Sequence, residues 1–129
     1  MFNSFLVIDK LNIAENFVID LKNSKDKYAK YFIFILIMQN IIDISFLLII
    51  NLKLKKPKNY LEIFDILSSS SIITQNTALS LRSYSALRNK IIYNYNNIDD
   101  NEYKIMINKF ENHFSNFNND IRCFIKTIS

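Results

Sequence analysis

The chain has 129 residues, half of them hydrophobic, with no glycine, one proline, one cysteine and a formal charge of +4. Residues 1–129 make one domain with a real core, and the missing glycine argues against a sheet of hairpins and for long helices. Cys123, being alone, excludes an intramolecular disulfide framework and a zinc cluster and fits a reducing cytoplasm, while the mild basicity is compatible with RNA or phosphate binding without proving it.

Met1-Phe2-Asn3-Ser4 lacks the basic start of a secretory signal. From Asn3 to Asn23, apolar residues recur at Phe5, Ile8, Leu11, Ala14, Val18 and Leu21, with Asp9, Asn12, Asn16 and Asp20 opposite. This spacing predicts an amphipathic helix with one buried side.

Ser24 to Lys30 is a polar break before the most apolar run, Tyr31 to Leu54. The run is long enough to raise a membrane span, since about 20 apolar residues cross a bilayer. Gln39, Asn40, Asp43, Ser45 and Asn51 interrupt it, and an ionised carboxylate in mid-bilayer is costly. A central bundle helix is therefore expected. Gln39, Asn40 and Asp43 form a polar strip on it, and buried polar groups need partners, so Asp43 should meet a cation or a donor. A structural bond and a site role both remain open for it.

Lys53 to Lys58 is basic and holds Pro57, which predicts a solvated loop. Asn59 and Glu62 have capping-box spacing, and a short helix is expected over Tyr60 to Leu67, presenting Leu61, Phe64 and Leu67 to the core and ending at Ser68 to Ser71. Thr74 can cap a fourth helix with inward positions Ala78, Leu81, Ser85 and Ile92. Asn94, Asn96 and Asn97 are its expected left-handed terminators. Asp99 and Glu102 signal the start of the last helix, whose seam of Tyr103, Ile107, Phe110, Phe114, Phe117, Ile121, Phe124 and Ile128 alternates fours and threes. Cys123 is expected in its core. His113, the only histidine, is expected on the rim without an orienting partner.

The fourth helix carries Ala86-Leu87-Arg88-Asn89-Lys90-Ile91-Ile92-Tyr93-Asn94-Tyr95, the stretch richest in chemistry. Arg88 and Tyr95 are seven apart and should share one stripe. A guanidinium there suits a phosphate or nucleotide, because its planar fork matches phosphate oxygens in pairs. Ordinary aromatic packing is the alternative use of the two tyrosines.

This stretch resembles the signature of the HepT-like toxins of the HEPN superfamily, which runs Arg, four residues, His, any residue, Tyr, often opening Arg-Asn. Arg88-Asn89 opens it and Tyr95 closes it, but Tyr93 stands at the histidine. Asp43 within Gln39-Asn40-Ile41-Ile42-Asp43-Ile44, the Pro57 loop, Tyr60-Leu61-Glu62-Ile63-Phe64 and Asn97-Ile98-Asp99 occur in the family's order, so the likeness covers most of the chain.

The resemblance implies an all-α, HEPN-type antiparallel helical bundle of four to five helices that forms a symmetric dimer, with two motifs facing a shared cleft. It implies a cytoplasmic toxin component of a toxin–antitoxin system, a metal-independent endoribonuclease that needs no cofactor or metal and touches neither membrane nor DNA. Arg88 would hold the scissile phosphate, Tyr93 would occupy the proton-transfer position, and Asn89 and Asp43 would support the site. Tyr95 would receive AMP from the partner, an MNT-type nucleotidyltransferase antitoxin. A phenol titrates near 10 and an imidazole near 6.5, so Tyr93 makes a poor general base at neutral pH and cleavage should be reduced or lost. Two further readings stand beside this one: a non-catalytic HEPN module that binds a nucleotide or partner, and a structural bundle in which Arg88 pairs with Asp43.

Overall fold

A computed structural model of the chain describes residues 3–128; Met1 and Phe2, and with them the start of the signal-peptide reading, lie outside the described residues. Five α-helices follow one another: α1, Phe5–Asn23; α2, Lys27–Asn51; α3, Glu62–Ser69; α4, Gln75–Asn94; and α5, Asp100–Ile128. A 3₁₀ turn, Tyr95–Asn97, joins the last two. Among the described residues there is no strand. The fold is the expected all-α antiparallel bundle.

Antiparallel packing is visible in the pairs that cross it. Asn118 and Arg122 of α5 bond Glu15 of α1, Arg88 of α4 bonds Gln39 of α2, and Asp120 of α5 accepts from the Thr74 amide that precedes α4. α2 lies against α1, α3 and α4, which explains its apolar residues on nearly every side. It is long and apolar enough to cross a membrane, yet half of its most apolar window is buried inside the bundle. The polar strip is thus at home in a protein interior.

The helix starts follow the side chains that cap them. Asp26 accepts from the Ala29 amide, Thr74 from Thr77, and Asp99 from Asn101 and Glu102. Asn59 accepts from the Glu62 amide at 3.2 Å, while the Glu62 carboxylate reaches back to the Lys58 amide at 3.0 Å. That amide and the ammonium of Lys55 hold the Glu62 carboxyl below the usual carboxylate range. The expected capping box is half formed, since Asn59 caps the Glu62 amide but the return bond goes to Lys58, and α3 begins two residues later than Tyr60.

The left-handed turns fall elsewhere than expected. Lys53 (φ 54°) and Ser71 (φ 60°) adopt them, not the asparagines after α4. After α2, the Leu54 amide returns to the Ile49 carbonyl at 2.9 Å; after α3, the Ile72 amide returns to Leu67 at 2.9 Å. These are Schellman closures, which satisfy carbonyls left open at a helix end and tuck in the apolar residue that follows. Asn94 instead leaves the helix at φ −155° and ψ 44°, outside the left-handed region.

Phe34, Tyr84 and Phe110 form the centre of the core, edge to face at 4.8 to 6.2 Å. Such pairs add about 0.5–1.5 kcal/mol each beyond area burial. Four apolar assignments need correction. Phe5 is 74% exposed and Val7 takes its place, because two steps of three residues back from Leu11 rotate about 120° off the buried arc. Ile91, not Ile92, is buried on α4; Ile125, not Ile128, closes the seam of α5. Cys123 is exposed, two residues and so about 200° from buried Ile121.

The Tyr103 hydroxyl is buried with no hydrogen-bond partner among the described residues, and burial pushes the Tyr84 and Tyr103 phenols up to about 12. An unpaired buried hydroxyl costs about 1–3 kcal/mol, and its removal in an isosteric ring is neutral to favourable. Tyr103→Phe is expected to stabilise the bundle by about 1 kcal/mol, a rise of a few degrees in Tm. The folded phenol values lie above the unfolded one near 10, so their contribution is complete below pH 10 and drains away toward about pH 12. Thermal melts across that range should fall with pH in the wild type and less steeply in Tyr103→Phe.

Candidate functional site

Arg88 sits six residues before the end of α4, on the arc of that helix that also carries buried Leu81, Tyr84 and Ile91. An arginine on an inward arc is half-buried and needs acceptors. It finds Gln39 on α2, whose Oε1 accepts from Nη2 at 2.7 Å, and its neighbour Asn89, whose Oδ1 accepts from Nη1 at 3.3 Å. Gln39 in turn donates to Asp43 at 2.9 Å, and Asp43 pairs with Lys10 of α1 at 3.7 Å. At the other end, Asn89 donates to the Tyr60 hydroxyl. A polar relay therefore runs Lys10–Asp43–Gln39–Arg88–Asn89–Tyr60 across α1, α2, α4 and the segment before α3.

The relay meets the demand that Asp43 have a cation and a donor. It also separates Arg88 from Asp43, since Gln39 bridges them and the two charges are not directly paired. That arrangement does what a direct ion pair would not. Gln39 is neutral, so it orients the guanidinium while leaving its charge uncancelled. Two of the five N–H donors that a guanidinium offers are used by Gln39 and Asn89. Its Nε is buried and without a partner among the described residues.

Tyr93 is 83% exposed. It lies five residues past Arg88, about 140° around the helix, so the phenol and the guanidinium are on different faces of α4. Tyr95 departs from the expected shared stripe. The break at Asn94 turns it aside, and its ring meets Tyr28 of α2 edge to face at 6.3 Å, half exposed. Tyr28 also meets Tyr31 at 6.0 Å and lies 5.9 Å from the Lys27 ammonium, which is bound to Asp100 at 3.1 Å.

His113 does have an orienting partner, contrary to the sequence reading: its Nδ1 lies 2.6 Å from the Tyr84 hydroxyl, which also reaches the Met106 carbonyl at 3.2 Å. It stands where α5 meets α4, in the wall of a cavity of about 530 Å³ that Leu87 and Lys90 also line. That cavity opens on another face of α4 from Arg88. No group of three or more His, Cys, Asp or Glu side chains suited to a metal ion occurs among the described residues.

Sequence reasoning named Arg88, Asn89, Asp43 and Gln39, and the fold joins all four. It missed Lys10, Tyr60 and Tyr28 as neighbours of the motif. Gln39 and Asp43, four apart on one helix, carried a readable signal. Lys10, Tyr60 and Tyr28 carried none, because their proximity comes from the packing of separate helices.

No curated protein matches the chain by sequence. Among solved structures it is similar to a cytosolic protein of unknown function, YutE from Bacillus subtilis, with a TM-score of 0.87 and 20% identity over 98% of this chain and 92% of that one. It is also similar to a chain in a crystal structure of a toxin–antitoxin with AMP-PNP, with a TM-score of 0.69 and 16% identity over 92% of this chain and 96% of that one. At these identities the likeness is one of fold. The sequence pattern of the family described as Ribonuclease HepT-like matches residues 8–122, nearly the whole bundle. The chain belongs to the HepT-like ribonuclease family.

Proposed function

We propose that this protein is the toxin component of a toxin–antitoxin system, that it binds RNA through Arg88, and that its ribonuclease activity is weakened by Tyr93. The observation that carries the reading is the relay around Arg88. A half-buried guanidinium is held by two neutral amides, its charge unspent and its terminal N–H groups left for a phosphate. The family assignment supports reading that phosphate as part of an RNA strand.

In cleavage, the ribose 2′-oxygen attacks the adjacent phosphorus, its proton passes to a base, and the bond to the 5′-oxygen breaks, leaving a 2′,3′-cyclic phosphate and a 5′-hydroxyl that takes up a proton. Negative charge gathers on the non-bridging oxygens, where Arg88 stabilises it. Asn89 and Gln39 fix the guanidinium plane, and Asp43 with Lys10 fixes Gln39. Tyr93 occupies the proton-transfer position. Because Arg88 and Tyr93 point to different faces of α4, the working site takes them from opposite protomers of a symmetric dimer that meets across a cleft. The protein acts in the cytoplasm.

Control runs through Tyr95. Its half-exposed ring, turned out of the helix by Asn94 and steadied by Tyr28, is open to an enzyme that transfers AMP. A nucleotidyltransferase antitoxin attaches AMP to the Tyr95 oxygen from ATP, with pyrophosphate leaving. The resulting anionic ester stands beside Tyr28, and its charge repels RNA.

Two measurements test this. Purified protein is assayed for RNA cleavage and for binding of labelled RNA, with Arg88→Ala as the comparison. It is then incubated with ATP and the nucleotidyltransferase it is shown to bind. Intact-mass spectra are expected to gain AMP in the wild type and in Tyr93→Phe, and not in Tyr95→Phe. An unchanged wild-type mass would sink the modification. Binding of RNA with no cleavage, even after Tyr93→His, would make the protein a non-catalytic binding module.

A further inference from the structure

The face of α2 that meets Arg88 continues beyond it as a row of exposed rings. Tyr28 and Gln39 are eleven residues apart, only about 20° from one another around the helix, and Phe32 falls between them on the same stripe. Tyr28 is 59% and Phe32 62% exposed, and Tyr95, edge-on to Tyr28, is 50% exposed. Aromatic side chains are costly to leave in water, and several of them on one stripe signal a partner. This stripe carries Gln39, and through it the guanidinium, at its inner end. The Lys27 ammonium lies at its outer end.

Exposed rings that lead to a guanidinium suit single-stranded nucleic acid, the Lys27 ammonium at the outer end being held by Asp100. Bases stack on the rings while the backbone follows the charge. A protein partner seated on apolar side chains would have no use for the guanidinium at the end of the row. A duplex keeps its bases stacked on one another and offers no free faces to the rings. Tyr28 is about 16 Å along α2 from Gln39, a distance that a short run of unpaired strand spans.

We infer that Tyr28 and Phe32 form a base-stacking track for single-stranded RNA, leading the strand to the phosphate site at Arg88. The inference rests on the RNA reading above and adds a substrate class to it: unpaired RNA, gripped through its bases on one side of the reacting phosphate. Tyr95 borders the outer end of the track, so AMP on its oxygen blocks the track there.

The test uses a fluorescein-labelled oligouridylate of about ten nucleotides, within the usual site size of such surfaces, and the same oligomer with abasic residues. Anisotropy titrations are run with the wild type, Tyr28→Ala, Phe32→Ala, Tyr28→Trp and Arg88→Ala. Tyr28→Ala and Phe32→Ala are each expected to weaken the base-bearing oligomer about tenfold and to bind the abasic one as the wild type does. Tyr28→Trp should bind the base-bearing oligomer as tightly as the wild type or more so, which serves if an alanine variant fails to fold. Arg88→Ala should weaken both oligomers. If the alanine variants bind like the wild type while Arg88→Ala does not, the track is wrong and the RNA reading survives. Equal weakening on both oligomers would mark a structural effect and overturn the track too. A shift in sedimentation with RNA affinity unchanged would assign the face to a protein contact. If the wild type binds neither oligomer, the RNA reading itself falls, and the track with it.

Discussion

Tyr93→His is expected to raise the rate of RNA cleavage by about 10²–10⁴, the usual share of a positioned general acid or base. The argument is one of proton affinity. An imidazole titrates near 6.5 and exchanges a proton at neutral pH, whereas only about one phenol in a thousand is ionised at pH 7 when it titrates near 10. The substitution costs the fold little, because residue 93 is 83% exposed and its ring packs on nothing in the core. The substitution leaves the relay around Arg88 untouched. Single-turnover cleavage of a labelled RNA by the two proteins, followed from pH 5 to 9, measures it. The variant should gain a pH-dependent rate centred near the imidazole range. Equal rates at every pH would show that the missing histidine is not what limits this protein.

Arg88→Ala is expected to abolish that gained activity, lowering the rate of the Tyr93→His protein by about 10²–10³ or more, as loss of a single preorganised donor to a developing anion does. The effect should be larger than for an exposed arginine. Removing the guanidinium also strands the Gln39 carbonyl oxygen and the Asn89 side chain, which then have no donor in a half-buried site. Arg88→Lys should rescue little, because an ammonium is a point charge and cannot bond Gln39, Asn89 and two phosphate oxygens from one plane. A double variant that cleaves as fast as Tyr93→His alone would remove Arg88 from the mechanism. Thermal melts of both arginine variants separate lost chemistry from lost fold.

Much of the bundle was legible before any coordinates. Capping pairs at Asp99–Glu102 and Thr74, the seam of α5 and the polar strip on α2 all reflect forces within one helix, where spacing in sequence is spacing in space. The misplacements share a cause. Ile92 was chosen over Ile91, and Ile128 over Ile125, because both members of each pair fit an apolar period and only the neighbouring helix decides between them. Asparagine was favoured for left-handed turns on intrinsic preference. Lys53 and Ser71 adopt them because Leu54 and Ile72, the residues that follow, are drawn toward the core and fold the backbone back on itself.

The candidate site shows the same division. Arg88, Asn89 and Asp43 were readable as a motif and as a carboxylate within an apolar run, in need of company, though Asp43 itself is only half-buried. That Gln39 stands between arginine and aspartate was not, because it depends on the axial offset of α2 and α4. The lone histidine was set aside for want of a partner, and Tyr84, twenty-nine positions away, supplies one. Contacts of that separation leave no trace in local pattern.

The relay has a direction in time. Lys10, Asp43, Gln39 and Tyr60 all precede Arg88 in the chain, so on a ribosome each of them has been made before the arginine emerges. The guanidinium therefore gains its Gln39 acceptor only when α4 docks on the α1–α2 hairpin, and the relay is complete only with Asn89, the last of its residues to be made.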